Sequence, residues 1–195
     1  MRDQTVLHNR WKRRDRNNIY SNNWIRLDQD LVLTQKKVEK TYAVLSTKGG
    51  VGVVPVTNDG YVYLVAQYRY APDVFSLEIP KGAYNTFNSL ETPLEAAKRE
   101  LMEETGIIAK SWIDLAIVNT LMGYSDDKVH LFLAQDIYIG KSIPDECEEI
   151  DIVKFKITEV FSLMNDGISV GGQIFKMYDA TSIAGIALAM REITK

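Results

Sequence analysis

After a polar, arginine-rich start, apolar and β-branched side chains come in short runs separated by polar or glycine-rich stretches. That pattern predicts strands over 24–34, 37–47 and 51–57. Asn58-Asp59-Gly60 is a turn signal, and it joins 51–57 to a further strand, 61–69, as a hairpin. Gly49-Gly50-Val51-Gly52 reads as the start of a strand or a bulge, because no Gly-Lys-Ser/Thr follows it and no helix opens behind it. A short strand from Phe75 leads into Pro80-Lys81-Gly82, and later strands are predicted over 112–120, 128–137 and 150–156.

The period changes over 92–106. Leu94, Ala97 and Leu101 recur at helical spacing, Thr92 suits the N-cap, Pro93 the first helical position, and Glu95 completes a T-x-x-E capping box. Gly106 is the natural stop. Two helices close the chain, roughly 157–165 and 178–193, the second carrying Ile183, Ile186 and Met190 on one stripe. Strands on either side of a central helix, with more helix at the end, predict an α+β sandwich.

Composition narrows the reading. A chain of 195 residues suits one compact domain with a small extension, able to bury roughly 70 % of its unfolded surface. No apolar run approaches the roughly 20 residues that span a bilayer, and the N-terminus lacks the apolar stretch of a signal peptide, so the expectation is a cytoplasmic protein without a membrane partner. Cys147 is the single cysteine, which excludes an internal disulfide. With Glu146 and Glu148 beside it, a structural role is expected rather than a reactive thiol. The net charge of −3 argues against broad nucleic-acid affinity. The one basic cluster, Arg10 to Arg16 around Trp11, reads as a solvated arm or subunit-contact segment, with an RNA-binding tail as the alternative.

The helix over 92–106 also carries the candidate chemistry. Glu100, Glu103 and Glu104 stand at i, i+3 and i+4, so their carboxylates crowd one face, where like charges repel by roughly 0.2–0.5 kcal/mol per pair. Either this is a solvated face partly neutralised by Lys98 and Arg99, or the oxygens hold a hard divalent cation such as Mg²⁺.

Glu91, seven intervening residues and then Arg99-Glu100-Leu101-Met102-Glu103-Glu104-Thr105-Gly106-Ile107 resemble the Nudix box, G-x5-E-x7-R-E-U-x-E-E-x-G-U with U aliphatic. Only the spacing before Glu91 departs: eight residues separate Gly82 from Glu91 where the family has five, as if the preceding loop were longer. The Gln67-Tyr68-Arg69-Tyr70 run, the Leu77-Glu78-Ile79-Pro80-Lys81-Gly82 approach, the acidic stretch 144–149 and the closing helix pair are similar to the ADP-ribose pyrophosphatase branch.

The resemblance implies an α/β/α sandwich with a mixed sheet, built over 48–195, and an N-terminal antiparallel strand extension, 1–47, through which a homodimer forms. It implies magnesium, with manganese as the alternative, held by Glu100, Glu103, Glu104 and the backbone carbonyl of Lys81. Arg99 would brace Glu91, Arg69 and Glu78 would meet the substrate, and Glu146 or Glu148 would supply the base. The implied reaction is hydrolysis of a nucleoside diphosphate sugar, ADP-ribose first, to AMP and ribose 5-phosphate. Members that cleave ADP-ribose carry Ser-Pro-Gly after the box and a Glu four residues on; here Leu121-Met122-Gly123 and Asp127 stand in that segment, with Gly123 and Asp127 as the matching substrate contacts. Replacing proline by Met122 frees the loop's φ angle. GDP-mannose or another nucleoside diphosphate derivative is therefore the competing substrate, and a nucleotide sensor without activity or an RNA-directed Nudix enzyme the competing role.

Overall fold

The computed structural model describes residues 10–84, 91–140 and 149–195. The chain divides into two compact units, Met1–Lys48 with Leu121–Asp127, and Gly49–Thr120 with Lys128–Lys195. Among the described residues no helix is long and apolar enough to cross a membrane.

The first unit is an antiparallel sheet of β1 (Lys12–Ser21), β2 (Ile25–Leu33) and β3 (Glu39–Thr47), in that order. The basic cluster that reads as a solvated arm or subunit-contact segment lies in β1, which pairs with β2 from Lys12 opposite Leu33 to Ser21 opposite Arg26. Its side chains are almost all exposed, so there is no apolar alternation to signal a strand. Polar contacts align it instead. Arg16 donates to both oxygens of Asp30 at 2.6 and 2.7 Å and lies 3.2 Å from Asp28, both aspartates being buried. Leu121–Asp127 docks on β3: Leu45 N–H donates to Tyr124 O at 2.8 Å, Tyr42 Oη to Gly123 O at 2.7 Å, and Thr47 Oγ1 to Asp127.

In the second unit, β4 (Gly50–Pro55), β5 (Tyr61–Arg69), β6 (Val74–Glu78) and β7 (Lys81–Ala83) precede helix α1 (Pro93–Thr105). After it come β8 (Ile107–Asn119), β9 (Lys128–Ile139), β10 (Asp151–Lys156), a 3₁₀ segment Ile157–Met164, the small pair β11 (Ile168–Val170) and β12 (Gln173–Phe175), and helix α2 (Ala180–Ile193). A mixed sheet has the order β7-β4-β9-β8, with β4 and β9 parallel; a second sheet has the order β10-β5-β6. The two central strands are apolar on both faces, as strands covered on both sides must be. Val51 and Val53 of β4 and Phe132 and Ala134 of β9 pack with Ala96, Ala97 and Leu101 of α1. Val54, Leu131 and Leu133 join the other core with Ile186 and Ala189 of α2. That is the layered α+β arrangement expected.

Three expectations need correction. The 58–60 turn forms, with Thr57 N–H donating to Tyr61 O at 2.8 Å, but the hairpin ends after the single bridge Val56–Val62. β4 pairs with β9 along its length and with β7 over Gly50–Gly52, Val53 N–H donates to Pro80 O, and β5 pairs with β6 and β10 instead. The segment expected as a helix over 157–165 is a 3₁₀ turn system, and β8 begins at Ile107, directly behind the helix stop, rather than at 112. The β11–β12 pair, unforeseen, is too short to leave a period in the sequence.

Helix α1 begins and ends as its caps dictate: Thr92 and Glu95 form the reciprocal capping box, and Gly106 closes it in the left-handed conformation at φ 68°. At the other side of the mixed sheet α2 is capped by Asp179, which accepts from Ser182 N–H at 2.8 Å. The same carboxylate lies 2.9 Å from Lys81 Nζ, and Lys81 Nζ lies 2.8 Å from Glu78, which also accepts both hydrogen bonds of the Arg69 fork at 2.9 and 2.7 Å. Ser182 Oγ completes the tie by accepting from Ile79 N–H at 3.0 Å. β5, β6, the approach to β7 and the start of α2 are thus one connected polar assembly.

Burial alone would push the Glu78 carboxyl up; Arg69 and Lys81 outweigh it and hold it down from 4.5 to about 2. A depressed carboxyl stabilises the fold fully above its unfolded pKa, and that stabilisation, about 3 kcal/mol, disappears as pH falls from about 4.5 through about 2. Acid unfolding of Glu78→Gln should accordingly show a shallower slope in this window than the parent, at lower stability near neutrality. Leu101→Ala, which empties a fully buried position under α1, should cost about 2–5 kcal/mol, against about 1 kcal/mol for Thr92→Ala at the cap; urea midpoints measure both.

Candidate active site

The pair Lys81-Gly82 on β7 lies against the carboxylate face of α1. Lys81 N–H donates to Glu104 Oε2 at 3.1 Å, and Glu104 is buried. At Gly82 a Cβ would stand 2.0 Å from Glu100 Cδ and 2.2 Å from each of its oxygens. Only glycine leaves that space, and so the helix carboxylate approaches the strand backbone directly.

Arg99 neutralises the rest of the face. It donates through Nε and Nη2 to Glu91 at 3.0 and 3.3 Å, and through Nη1 to Glu100 at 2.8 Å and Glu103 at 3.0 Å. Nη2 also donates to Ala83 O at 3.2 Å. Glu91 above all, with Glu100 and Glu103, raises the pKa of the guanidinium further above its usual value. One side chain therefore ties the residue before the helix, two helical carboxylates and β7 together.

Among the described residues, no three His, Cys, Asp or Glu side chains converge on one point as a finished metal cage. The donor set nonetheless fits a hard cation. Glu100, Glu103 and Glu104 present oxygens along one helix face, and Gly82 leaves the Glu100 carboxylate the space a side chain would fill. A cationic group already bridges two of these carboxylates, the Nη1 end of Arg99.

Arg69 and Glu78 face each other rather than standing apart. Burial works against the charge of Arg69, yet Glu78, Glu104 and Asp179 prevail and raise its pKa, so Arg69 sits in the field of both the helix glutamate and the α2 cap. Lys81 contributes its backbone to Glu104 and its ammonium to Glu78 and Asp179. Gly123 and Asp127 belong to the first unit, bound to β3 as described. Glu146 and Glu148 lie outside the described residues, as does Cys147. The sequence reading missed Asp179 and Ser182. Their D-x-x-S spacing ahead of the last apolar helix is an N-cap signal, but nothing local shows that the cap also reaches Lys81.

The chain matches the NUDIX domain over residues 46–168. It is 30% identical over 138 residues to an ADP-ribose pyrophosphatase of Bacillus subtilis (strain 168), covering 70% of this chain and 72% of that protein. To a GDP-mannose pyrophosphatase of Yersinia enterocolitica it is 25% identical over 185 residues, covering 88% and 95%. A solved structure described as an ADP compounds hydrolase superposes with a TM-score of 0.79 at 20% identity, covering 95% of each chain, a likeness of fold. By its box and by these matches, the chain belongs to the Nudix hydrolase family, on the ADP-ribose pyrophosphatase branch.

Proposed function

We propose that this Nudix pyrophosphohydrolase cleaves the diphosphate bond of a nucleoside diphosphate sugar, with ADP-ribose as the leading substrate. Water adds to one phosphorus, the bridging oxygen leaves on the other phosphate, and the water's second proton is shed as two phosphomonoesters form, here AMP and ribose 5-phosphate. The observation that carries this reading is the complete set Glu91, Arg99, Glu100, Glu103 and Glu104 packed against Lys81-Gly82.

Glu100, Glu103 and Glu104, with the Lys81 carbonyl, would hold a divalent ion, Mg²⁺ with Mn²⁺ as the alternative. Such an ion supplies charge neutralisation at the phosphate oxygens and an oriented water. Arg99 keeps Glu91 through Nε and Nη2, so only its Nη1 need leave Glu100 and Glu103 to open them. Arg69 offers a planar fork for the diphosphate, poised on Glu78 until a phosphate competes for it. Glu146 or Glu148, from the acidic stretch, takes the proton. A pure sensor would not need so dense a carboxylate set. The Met122 and Asp127 departures, together with the likeness to a GDP-mannose pyrophosphatase, favour GDP-mannose as the second substrate.

The N-terminal sheet leaves Trp11, Ile19, Tyr20 and Trp24 exposed, which supports its use as a homodimer surface. Light scattering on a sizing column at micromolar concentration should return twice the chain mass; the mass of one chain would refute it.

Purified protein with Mg²⁺ should release AMP from ADP-ribose. Chelation should abolish the release, and Glu104→Gln should slow it by roughly 100-fold or more, since even outer-shell partners of a metal are worth 10–100-fold. Faster cleavage of GDP-mannose would keep the chemistry and move the substrate. Binding of ADP-ribose without turnover of any nucleotide sugar would reject the enzyme in favour of the sensor.

A further inference from the structure

Side chains along β5 alternate between the two cores. Val62, Leu64 and Ala66 pack with α2, while Tyr63 packs with the residues beneath α1. Tyr63, Val65, Gln67 and Arg69 therefore share the face toward α1 and its carboxylates. On the neighbouring β6, Glu78 stands opposite Val65, Ser76 opposite Gln67 and Val74 opposite Arg69. The Arg69 fork that grips Glu78 thus runs past the Gln67–Ser76 pair, and Gln67 lies in the same row as the guanidinium.

Gln67 is 9% exposed, and its Nε2 has no hydrogen-bond partner. Among the described residues one other buried side-chain atom shares that condition, Asp28 Oδ2, and it still has Arg16 at 3.2 Å. A buried amide donor left unpaired costs free energy on folding, so its presence asks for a reason. Ser76, opposite, is itself buried, and both oxygens of Glu78 are taken by Arg69. An NH₂ group is a donor only, and the acceptor that fits beside a guanidinium is an anionic oxygen.

We propose that Gln67 is a substrate-binding residue whose side-chain amide donates to a phosphate oxygen of the diphosphate, alongside Arg69. This rests on the hydrolase reading, but its probe can be inorganic pyrophosphate, which has no base or sugar. The near-isosteric Gln67→Met removes the donor and keeps the volume.

Titration of magnesium pyrophosphate into parent and variant, with Tm and ADP-ribose kinetics measured alongside, tests the assignment. The expected result is about tenfold weaker pyrophosphate binding, a KM for ADP-ribose raised by a similar factor with kcat changed less than about twofold, and a Tm no lower than the parent's. A merely structural glutamine gives the opposite pattern: a lower Tm with unchanged pyrophosphate affinity and KM, which overturns the proposal. Unchanged values throughout, or no binding of pyrophosphate to the parent, overturn it as well. If the variant weakens pyrophosphate binding but the parent does not cleave ADP-ribose, the Gln67 assignment stands and the substrate reading fails. Should Gln67→Met not fold, Gln67→Asn, which keeps an amide but withdraws it by one methylene, is read on the same scale.

Discussion

Three carboxylates within about one helical turn repel one another, and the second unit is arranged around keeping them together. The helix that bears them is held from below by Ala96, Ala97 and Leu101 in the core and from its start by the Thr92–Glu95 box. At its side, the backbone of Lys81-Gly82 offers one N–H to Glu104 and an empty Cβ position to Glu100. The remaining charge is met by Arg99, whose five donors are shared among Glu91, Glu100, Glu103 and the Ala83 carbonyl. Apolar burial fixes where the helix lies; hydrogen-bond geometry fixes what its polar face can do.

A second assembly supports the first from the opposite layer. Arg69, Glu78, Lys81 and Asp179 alternate in sign along a continuous chain that ends on the N-cap of α2. Lys81 belongs to both assemblies, its amide to the helix carboxylate and its ammonium to the chain of ions. Lys81 thereby links the N-cap of α2 to the strand that carries Gly82 by direct polar contacts, beside the apolar packing of α2 on the sheet.

Much of this was legible because it is local. The capping box, the glycine stop, the i, i+3, i+4 carboxylates and the Glu91-to-Arg99 spacing all lie within one short stretch, and each has a chemical signature in residue type and offset. The central strands announced themselves by apolar runs that face two cores. What failed was non-local or had no apolar period. β1 is held by its backbone ladder and by Arg16 against Asp28 and Asp30, so its sequence looks like a solvated arm. The hairpin beyond Gly60 was mistaken because the competing partners of β4 come from far along the chain, at β7 and β9. Lys81 and Asp179 lie far apart in sequence, and no local pattern encodes their pairing.

The position of Arg99 gives the carboxylate face an occupant of its own. Because the guanidinium is tethered to the same helix, it is present at Glu100 and Glu103 at a high effective concentration whatever the solution contains. Any cation that approached these two carboxylates would meet a guanidinium already bonded to them rather than bare oxygens. The helix thus carries its own competitor for its acidic face, one residue before the first carboxylate.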